Sequence, residues 1–143
     1  MPEQYTLPEI VEIITRVLGE LQFEALADLE FASLSLRQIS CLGLIARLPD
    51  PTPSDLARTL AVTKPTISDL VGRLAQAGYV RKERSALDAR SFHLRLTEQG
   101  YAMMAAHNRL HERLAENLVR GLDDEERQQL VALLNKVVGA LGT

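Results

Sequence analysis

The spacing of apolar residues predicts long amphipathic helices at both ends of the chain. Residues 9–30 place apolar side chains three and four positions apart, with mostly acidic side chains opposite them: Ile10, Ile13, Ile14, Val17, Leu18, Leu21, Ala25 and Leu29 against Glu12, Arg16, Glu20 and Glu24. Near the other end, Thr97 is expected to cap a helix that ends at Gly121, and a last helix is expected over residues 123–141. Because an apolar stripe on a helix must be covered, these helices need a partner surface.

Two shorter helices are predicted between residues 35 and 60 from their capping residues. Residues 35–38, Ser-Leu-Arg-Gln, are a capping box that opens a helix reaching about residue 48. Three prolines between residues 49 and 53 then stop that helix. Thr52, with Pro53 at the first helical position and an acid two residues later, opens a short helix to about Leu60.

A third helix and two strands follow. The helix over residues 63–77 begins at the cap Thr63, and its predicted buried stripe is Ile67, Leu70, Val71, Leu74 and Ala75. Gly78 follows this helix at the position where a glycine in the left-handed backbone conformation often ends a helix. Strands are predicted at 80–84 and 92–96, the second because apolar and polar residues alternate. The fold class predicted is mainly α with a small β-wing, a winged helix-turn-helix flanked by N- and C-terminal dimerisation helices.

Length and composition narrow the class of protein. The 143 residues suit one domain, and 46% hydrophobic with only 4% aromatic residues favours packed helices. One cysteine excludes an internal disulfide, and the N-terminus has no signal-peptide pattern. No apolar run is long enough to span a membrane. We therefore expect a cytoplasmic protein with no membrane partner.

The charge is unevenly distributed along the chain. The whole chain carries −3, but residues 64–95 hold seven basic side chains against three acidic ones. That segment is therefore +4, which leaves −7 on the rest. A basic segment that coincides with a winged helix favours local contact with DNA.

The DNA contacts predicted on the 63–77 helix are its outward and flanking residues: Lys64, Pro65, Thr66, Ser68, Asp69 and Arg73. Short polar groups and free N–H groups at a helix start can bind phosphate, and Arg73 can reach a guanine edge, a phosphate or a protein carboxylate. A solvated helix face is the other interpretation of this pattern.

The loop from Arg84 to Ser91 carries Arg84 and Arg90 around Asp88. An arginine on a projecting hairpin can enter a narrow minor groove. Since Asp88 cannot face phosphate favourably, we predict that it orients an arginine, either Arg73 or one within the wing. An ordinary charged turn is the alternative.

The sequence resembles the MarR family of bacterial transcription regulators. The matching residues are Thr63-Lys-Pro-Thr-Ile-Ser68, Arg73-Leu74, Gly78-Tyr-Val80, Asp88-Ala-Arg90 and Leu94-Arg-Leu-Thr-Glu-Gln-Gly100. The resemblance implies one domain over residues 1–143, with a winged-helix DNA-binding part at 32–97 and dimerisation helices at 5–31 and 98–143. It also implies a homodimer that reads a pseudo-palindromic operator in double-stranded DNA, usually as a repressor released by a small-molecule effector or by oxidation.

Two features of the sequence bear on how the protein could sense oxidation or a metal: Cys41 and the pair of His107 and His111. Cys41 lies mid-helix among apolar residues, which predicts a buried, inert thiol. His107 and His111 have the spacing for a shared metal and match a histidine pair in zinc-responsive members of the family, but Ser40 stands where those members have another histidine. A solvated pair beside Glu112 is the alternative, so no metal and no cofactor is assigned.

The function predicted is a ligand-responsive, homodimeric repressor that binds specific DNA. No nucleophile–base pair, phosphate loop or paired-carboxylate cleft is recognisable, so no enzyme activity is expected. The alternative from another class is a winged-helix module for protein–protein contact without specific DNA binding.

Overall fold

The computed structural model describes residues 4–27, 34–88 and 90–142. The described elements are, in order, α1 (Leu7–Ala27), α2 (Leu36–Arg47), α3 (Pro53–Leu60), α4 (Lys64–Gln76), β1 (Val80–Arg84), β2 (Phe92–Leu96), α5 (Glu98–Val119) and α6 (Asp124–Ala140). The predicted fold, mainly helical with a small β-wing, is confirmed. The predicted end of the first helix, with Leu29, lies outside the described residues. Within the described ranges, no helix is long and apolar enough to cross a membrane.

Side-chain caps set the starts of five helices. The capping residues of α2 to α6 are Ser35, Thr52, Thr63, Thr97 and Asp123. Each one accepts a hydrogen bond from a backbone N–H that has no partner inside its helix, a contact worth about 1 kcal/mol. The first four caps were predicted from sequence and are confirmed.

The hydrophobic core lies within the winged-helix part. Its most deeply buried large side chains come from α2, α3, α4 and β2, and are Leu42, Leu56, Ile67, Leu74 and Leu94. Because α4 buries one stripe of residues in this core, its opposite face is left on the outside of the molecule. The core therefore fixes which residues of α4 can meet a partner.

The base of the wing is fixed at a tight corner between α4, β1 and α5. Gly78 ends α4 with φ +88°, a conformation that favours glycine. The hydroxyl of Thr97 donates to the carbonyl of Gly78, and its N–H donates to the carbonyl of Tyr79 at 3.0 Å. A Cβ at Gly100 would overlap that same Tyr79 carbonyl, so only glycine fits there. The strands leave this corner antiparallel, with Val80 opposite Leu96.

The terminal helices keep apolar faces exposed. No residue of α6 is buried, and Val131 and Leu134 are 54% and 47% exposed. On α1, Ile10 and Ile14 are also exposed. The winged-helix part leaves these faces uncovered, in agreement with the prediction that they need a partner surface.

Candidate nucleic-acid interface

The outer face of α4 presents most of the residues predicted to contact DNA. Lys64, Pro65, Ser68, Asp69 and Arg73 are all exposed, while the stripe between them is buried. Since α4 follows α3 across a short turn and packs against it, α4 occupies the position of the recognition helix of a helix-turn-helix. The structure thus places these five side chains on one accessible surface.

Thr66 differs from its neighbours because it belongs to the helix cap. It is half-buried, its hydroxyl lies 2.8 Å from the hydroxyl of Thr63, and its N–H donates to that same oxygen at 3.3 Å. A DNA contact by Thr66 would have to share a hydroxyl that already has a partner. Its first role is to fix the start of α4.

Arg73 pairs with Asp69, not with the wing. The Nε atom of Arg73 lies 3.0 Å from the carboxylate of Asp69, one helical turn earlier, and both side chains are well exposed. Of the two alternatives for the arginine that Asp88 orients, Arg73 or one within the wing, Arg73 has Asp69 as its partner in this structure. The spacing of four residues was a signal for the observed pair, because side chains at i and i+4 are neighbours on a helix.

Asp88 holds the wing arginine through the main chain. One carboxylate oxygen of Asp88 accepts the backbone N–H of Arg90 at 2.9 Å. The carbonyl of Asp88 accepts the N–H of Ser91 at 3.2 Å, and the N–H of Ser85 donates to the carbonyl of Ser91 at 3.1 Å. These bonds close the loop between Arg84, the last residue of β1, and β2. Asp88 thus shapes the turn that carries Arg90.

A cavity between the start of α4 and the wing loop brings two predicted cations together. We call it the wing pocket; it has a volume of about 330 Å³ and is lined by Thr52, Pro53, Ser54, Lys64, Ile67, Ser68, Arg90, Ser91 and Phe92. Lys64 comes from α4 and Arg90 from the wing, while none of the described residues that line the pocket is acidic. Two cations and several hydroxyls around one cavity favour an anion. Arg84 is exposed on the same hairpin but does not line the pocket.

A second cavity lies between α2, α3 and α5. This α2–α5 cleft measures about 560 Å³ and is lined by Ile39, Ser40, Gly43, Leu44, Ala46, Arg47, Thr59, Leu60, Met104, His107 and Asn108. Its walls combine apolar side chains with a few polar groups, as small-molecule sites do. The cleft contains His107 and Ser40, which the sequence had related to a metal site.

His107 and His111 lie close together on α5. The rings of His107 and His111 are 4.3 Å apart between centroids. Burial, and then the neighbouring His111, lower the pKa of His107. Within the described part of the chain, no group of three metal-ligating side chains could hold an ion. The residues present do not form a complete zinc site.

Cys41 is fully buried in the core, as predicted. Burial raises the pKa of its thiol to about 11. Since a thiol reacts as its thiolate, this environment suppresses oxidation and alkylation.

Asp50 is a site residue that the sequence did not indicate. It lies in the link between α2 and α3, where its carboxylate contacts Arg95 and His93 on β2. No local pattern signals a contact between residues separated by more than forty positions.

The helix-turn-helix, the antiparallel hairpin behind it and the exposed cations on both define a winged-helix protein. A family model described as the MarR family matches residues 32–91. The HTH-type transcriptional regulator PecS of Dickeya dadantii (strain 3937) is 32% identical over 110 residues, which cover 73% of this chain and 64% of PecS. These comparisons support the MarR family, and the resemblance seen in the sequence is confirmed.

Solved structures support the same assignment. Streptococcus pneumoniae FabT in complex with DNA is 28% identical, with a TM-score of 0.75 over 96% of this chain and 98% of that chain. S. aureus MepR bound to ethidium bromide is 26% identical, with a TM-score of 0.73 over 96% and 97% of the two chains. The likeness extends beyond the winged helix to the terminal helices.

Proposed function

We propose that this chain is a transcription regulator that binds a pseudo-palindromic operator in double-stranded DNA as a homodimer. The observation that supports it most is the convergence of Lys64 and Arg90 on the wing pocket, beside the exposed face of α4. A DNA phosphate is the anion that suits a pocket placed between a recognition helix and a wing. The solved complex of FabT with DNA adds support from a relative.

Each part of this surface has a distinct proposed role. Lys64 and Arg90 neutralise a phosphate at the wing pocket, with Ser68 beside them. Arg73 lies two turns along α4, where an arginine can reach base edges in the major groove. Asp69 keeps Arg73 extended, and Pro65 packs at the helix start. Arg84 contributes positive charge on the outer side of the hairpin.

The exposed apolar faces of the terminal helices support the homodimer. A two-fold axis would cover α1 and α6 of one protomer with those of its partner and would separate two α4 helices by roughly 34 Å, one turn of DNA. The domain layout follows: residues 32–97 bind DNA, and residues 5–31 and 98–143 dimerise.

We further propose that a small-molecule effector occupies the α2–α5 cleft and releases DNA, so that the protein acts as a repressor. The structure of S. aureus MepR bound to ethidium bromide shows that a relative binds a small organic molecule. Among the described residues, the polar lining here includes Arg47 and Asn108 but no carboxylate, which suits an effector with an apolar body and an acidic group. The protein would act in the cytoplasm, where the chromosome lies.

The test of DNA binding uses the purified protein and a pool of random DNA duplexes, followed by the DNA upstream of its own gene. We expect selection of an imperfect palindrome and binding that weakens steeply with salt. Lys64→Ala and Arg90→Ala should each reduce the salt slope by roughly one per lost phosphate contact. Failure to select any sequence above background would refute the proposal and favour the protein–protein module.

The test of dimerisation is sedimentation of the wild-type protein and of the Val131→Asp/Leu134→Asp variant. The wild type should sediment as a dimer at micromolar concentration. The variant should be monomeric and lose operator binding, because two carboxylates would be buried without partners. A matched control, Glu125→Gln at the start of the same helix, should leave the dimer intact. A monomeric wild type would refute this part of the proposal.

A further inference from the structure

The link between α2 and α3 makes direct contact with the wing. Pro51 of this link is fully buried, and its carbonyl accepts the backbone N–H of Leu94, the middle residue of β2, at 2.8 Å. The link therefore adds a short third segment beside the two-stranded sheet. Because prolines at both sides of Asp50 restrict the backbone, the position of Asp50 is well determined.

The carboxylate of Asp50 bridges two side chains of β2. One of its oxygens takes the guanidinium of Arg95, and the other lies 3.3 Å from Nδ1 of His93. The same His93 nitrogen is 3.2 Å from the carbonyl oxygen of Asp50. Since both neighbours of Nδ1 are acceptors, this nitrogen carries the proton and donates it.

The contacts continue onto β1. Glu83 pairs with Arg81 at 3.0 Å and lies 3.8 Å from Nε of Arg95. In the sheet register, Glu83 stands opposite His93 and Arg81 opposite Arg95. The network therefore joins the α2–α3 link to both strands on the outer side of the wing. His93 and Arg95 are 22% and 31% exposed, whereas Asp50 is 54% exposed, so solvent still screens these contacts in part.

The corner at Thr97 fixes the base of the sheet, where Val80 stands opposite Leu96, and the other end of the sheet carries the loop with Arg90. Of the two Asp50 contacts, the one with Arg95 lies one residue from this base, and the one with His93 lies in the outer half of the sheet, nearer the loop that carries Arg90. A small tilt there would move Arg90 away from Lys64 across the wing pocket. A local contact can thus set the distance between the two cations.

We infer that Asp50 is a positioning residue for the wing and that it contributes to operator affinity only through Arg90. This inference rests on the proposed function and deepens it, because it names a residue outside the DNA face that controls one of its two contact elements. It gives Asp50 a role in affinity although Asp50 carries the same charge as DNA.

The test compares two DNA lengths, the operator with its flanks and the operator trimmed so that the wings have nothing to bind. On the long DNA, Asp50→Ala should weaken binding by about tenfold, as Arg90→Ala does. On the trimmed DNA both variants should bind like the wild type. The double variant Asp50→Ala/Arg90→Ala should be no weaker than Arg90→Ala, because residues that act through one another are not additive. Asp50→Asn, which removes the same charge but keeps a side-chain oxygen that can accept from Arg95 and His93, controls for the change in net charge.

Equal losses on both DNA lengths would mean general destabilisation and would overturn the inference. So would additive losses in the double variant, or no loss at all on the long DNA. A measurement without DNA separates this inference from the proposed function. The amide of Leu94 should exchange its hydrogen faster in Asp50→Ala than in the wild type, and unchanged exchange would overturn the anchoring. Failure of the wild type to bind any operator would overturn the proposed function alone.

Discussion

Asp88 in the wing allows the sharpest test of how the hairpin contributes to DNA binding. Its carboxylate accepts the backbone N–H of Arg90 at 2.9 Å, yet its charge repels phosphate. Asp88→Ala removes both the hydrogen bond and the charge. Asp88→Asn removes only the charge, because the side-chain oxygen of asparagine can accept the same bond.

The two effects have different magnitudes. A hydrogen bond of this kind contributes about 0.5–1.5 kcal/mol, and exposure places this one near the lower end, so two wings would lose roughly 1–2 kcal/mol. A carboxylate roughly 8 Å from a phosphate is repelled by about 0.5 kcal/mol in water, and physiological salt reduces this to about 0.2 kcal/mol. In Asp88→Ala, the lost hydrogen bond to Arg90 should therefore weaken operator binding more than the removed repulsion from phosphate strengthens it.

Operator affinity measured by fluorescence anisotropy at fixed salt distinguishes the outcomes. Relief of repulsion at two wings, about 0.4 kcal/mol, offsets part of the loss in Asp88→Ala. We therefore expect Asp88→Ala to bind roughly 3- to 15-fold more weakly than the wild type and Asp88→Asn to bind about twofold more tightly. The essential result is that the operator affinity of the wild type lies between those of Asp88→Asn and Asp88→Ala. If Asp88→Ala bound as tightly as Asp88→Asn, the hydrogen bond to Arg90 would have no part in positioning the wing.

Three further predictions concern Gly72, Cys41 and the pair of His107 and His111. Gly72 has no atom within 4 Å of an added Cβ, so Gly72→Ala should stabilise α4 by about 1 kcal/mol in thermal unfolding, yet weaken operator binding if DNA approaches that face. Unchanged affinity would place Gly72 away from the DNA. At pH 8 about one Cys41 thiol in a thousand is ionised in the native state, so Ellman's reagent should react only after unfolding, and rapid native labelling would contradict the burial. Operator affinity should be indifferent to added zinc, and replacement of His107 and His111 by alanine should leave it unchanged, whereas a zinc response lost in that variant would establish a metal site.

Local chemistry explains why much of the fold could be predicted. Caps such as Ser35 and Thr63, and the glycine stop at Gly78, depend on neighbours within four residues, so the sequence contains the whole signal. The strand bounds 80–84 and 92–96 were likewise correct. Helix faces were predicted because their period is independent of the partner that covers them.

Side-chain partners could be predicted only where they are local. The pair of Arg73 with Asp69 has a helical spacing and was therefore recognisable, whereas the sequence left open which arginine Asp88 orients. The contact of Asp50 with Arg95 was not recognisable, because it depends on how the α2–α3 link crosses the sheet. The wing pocket has the same origin: Lys64 and Arg90 are 26 positions apart in the sequence and meet only in the fold.

The distribution of charge connects the fold to selectivity. A dimer would carry −6, and its acids include Glu9, Glu12, Glu20 and Glu24 on α1 and the first turn of α6. At physiological salt the field of a charge fades within about 8 Å, so those acids hardly weaken a phosphate seated in the wing pocket. They do oppose DNA that approaches the terminal helices. An acidic protein with a local charge of +4 on the wing and α4 should therefore bind unrelated DNA weakly while it keeps its operator contacts, which favours the specificity that a regulator needs.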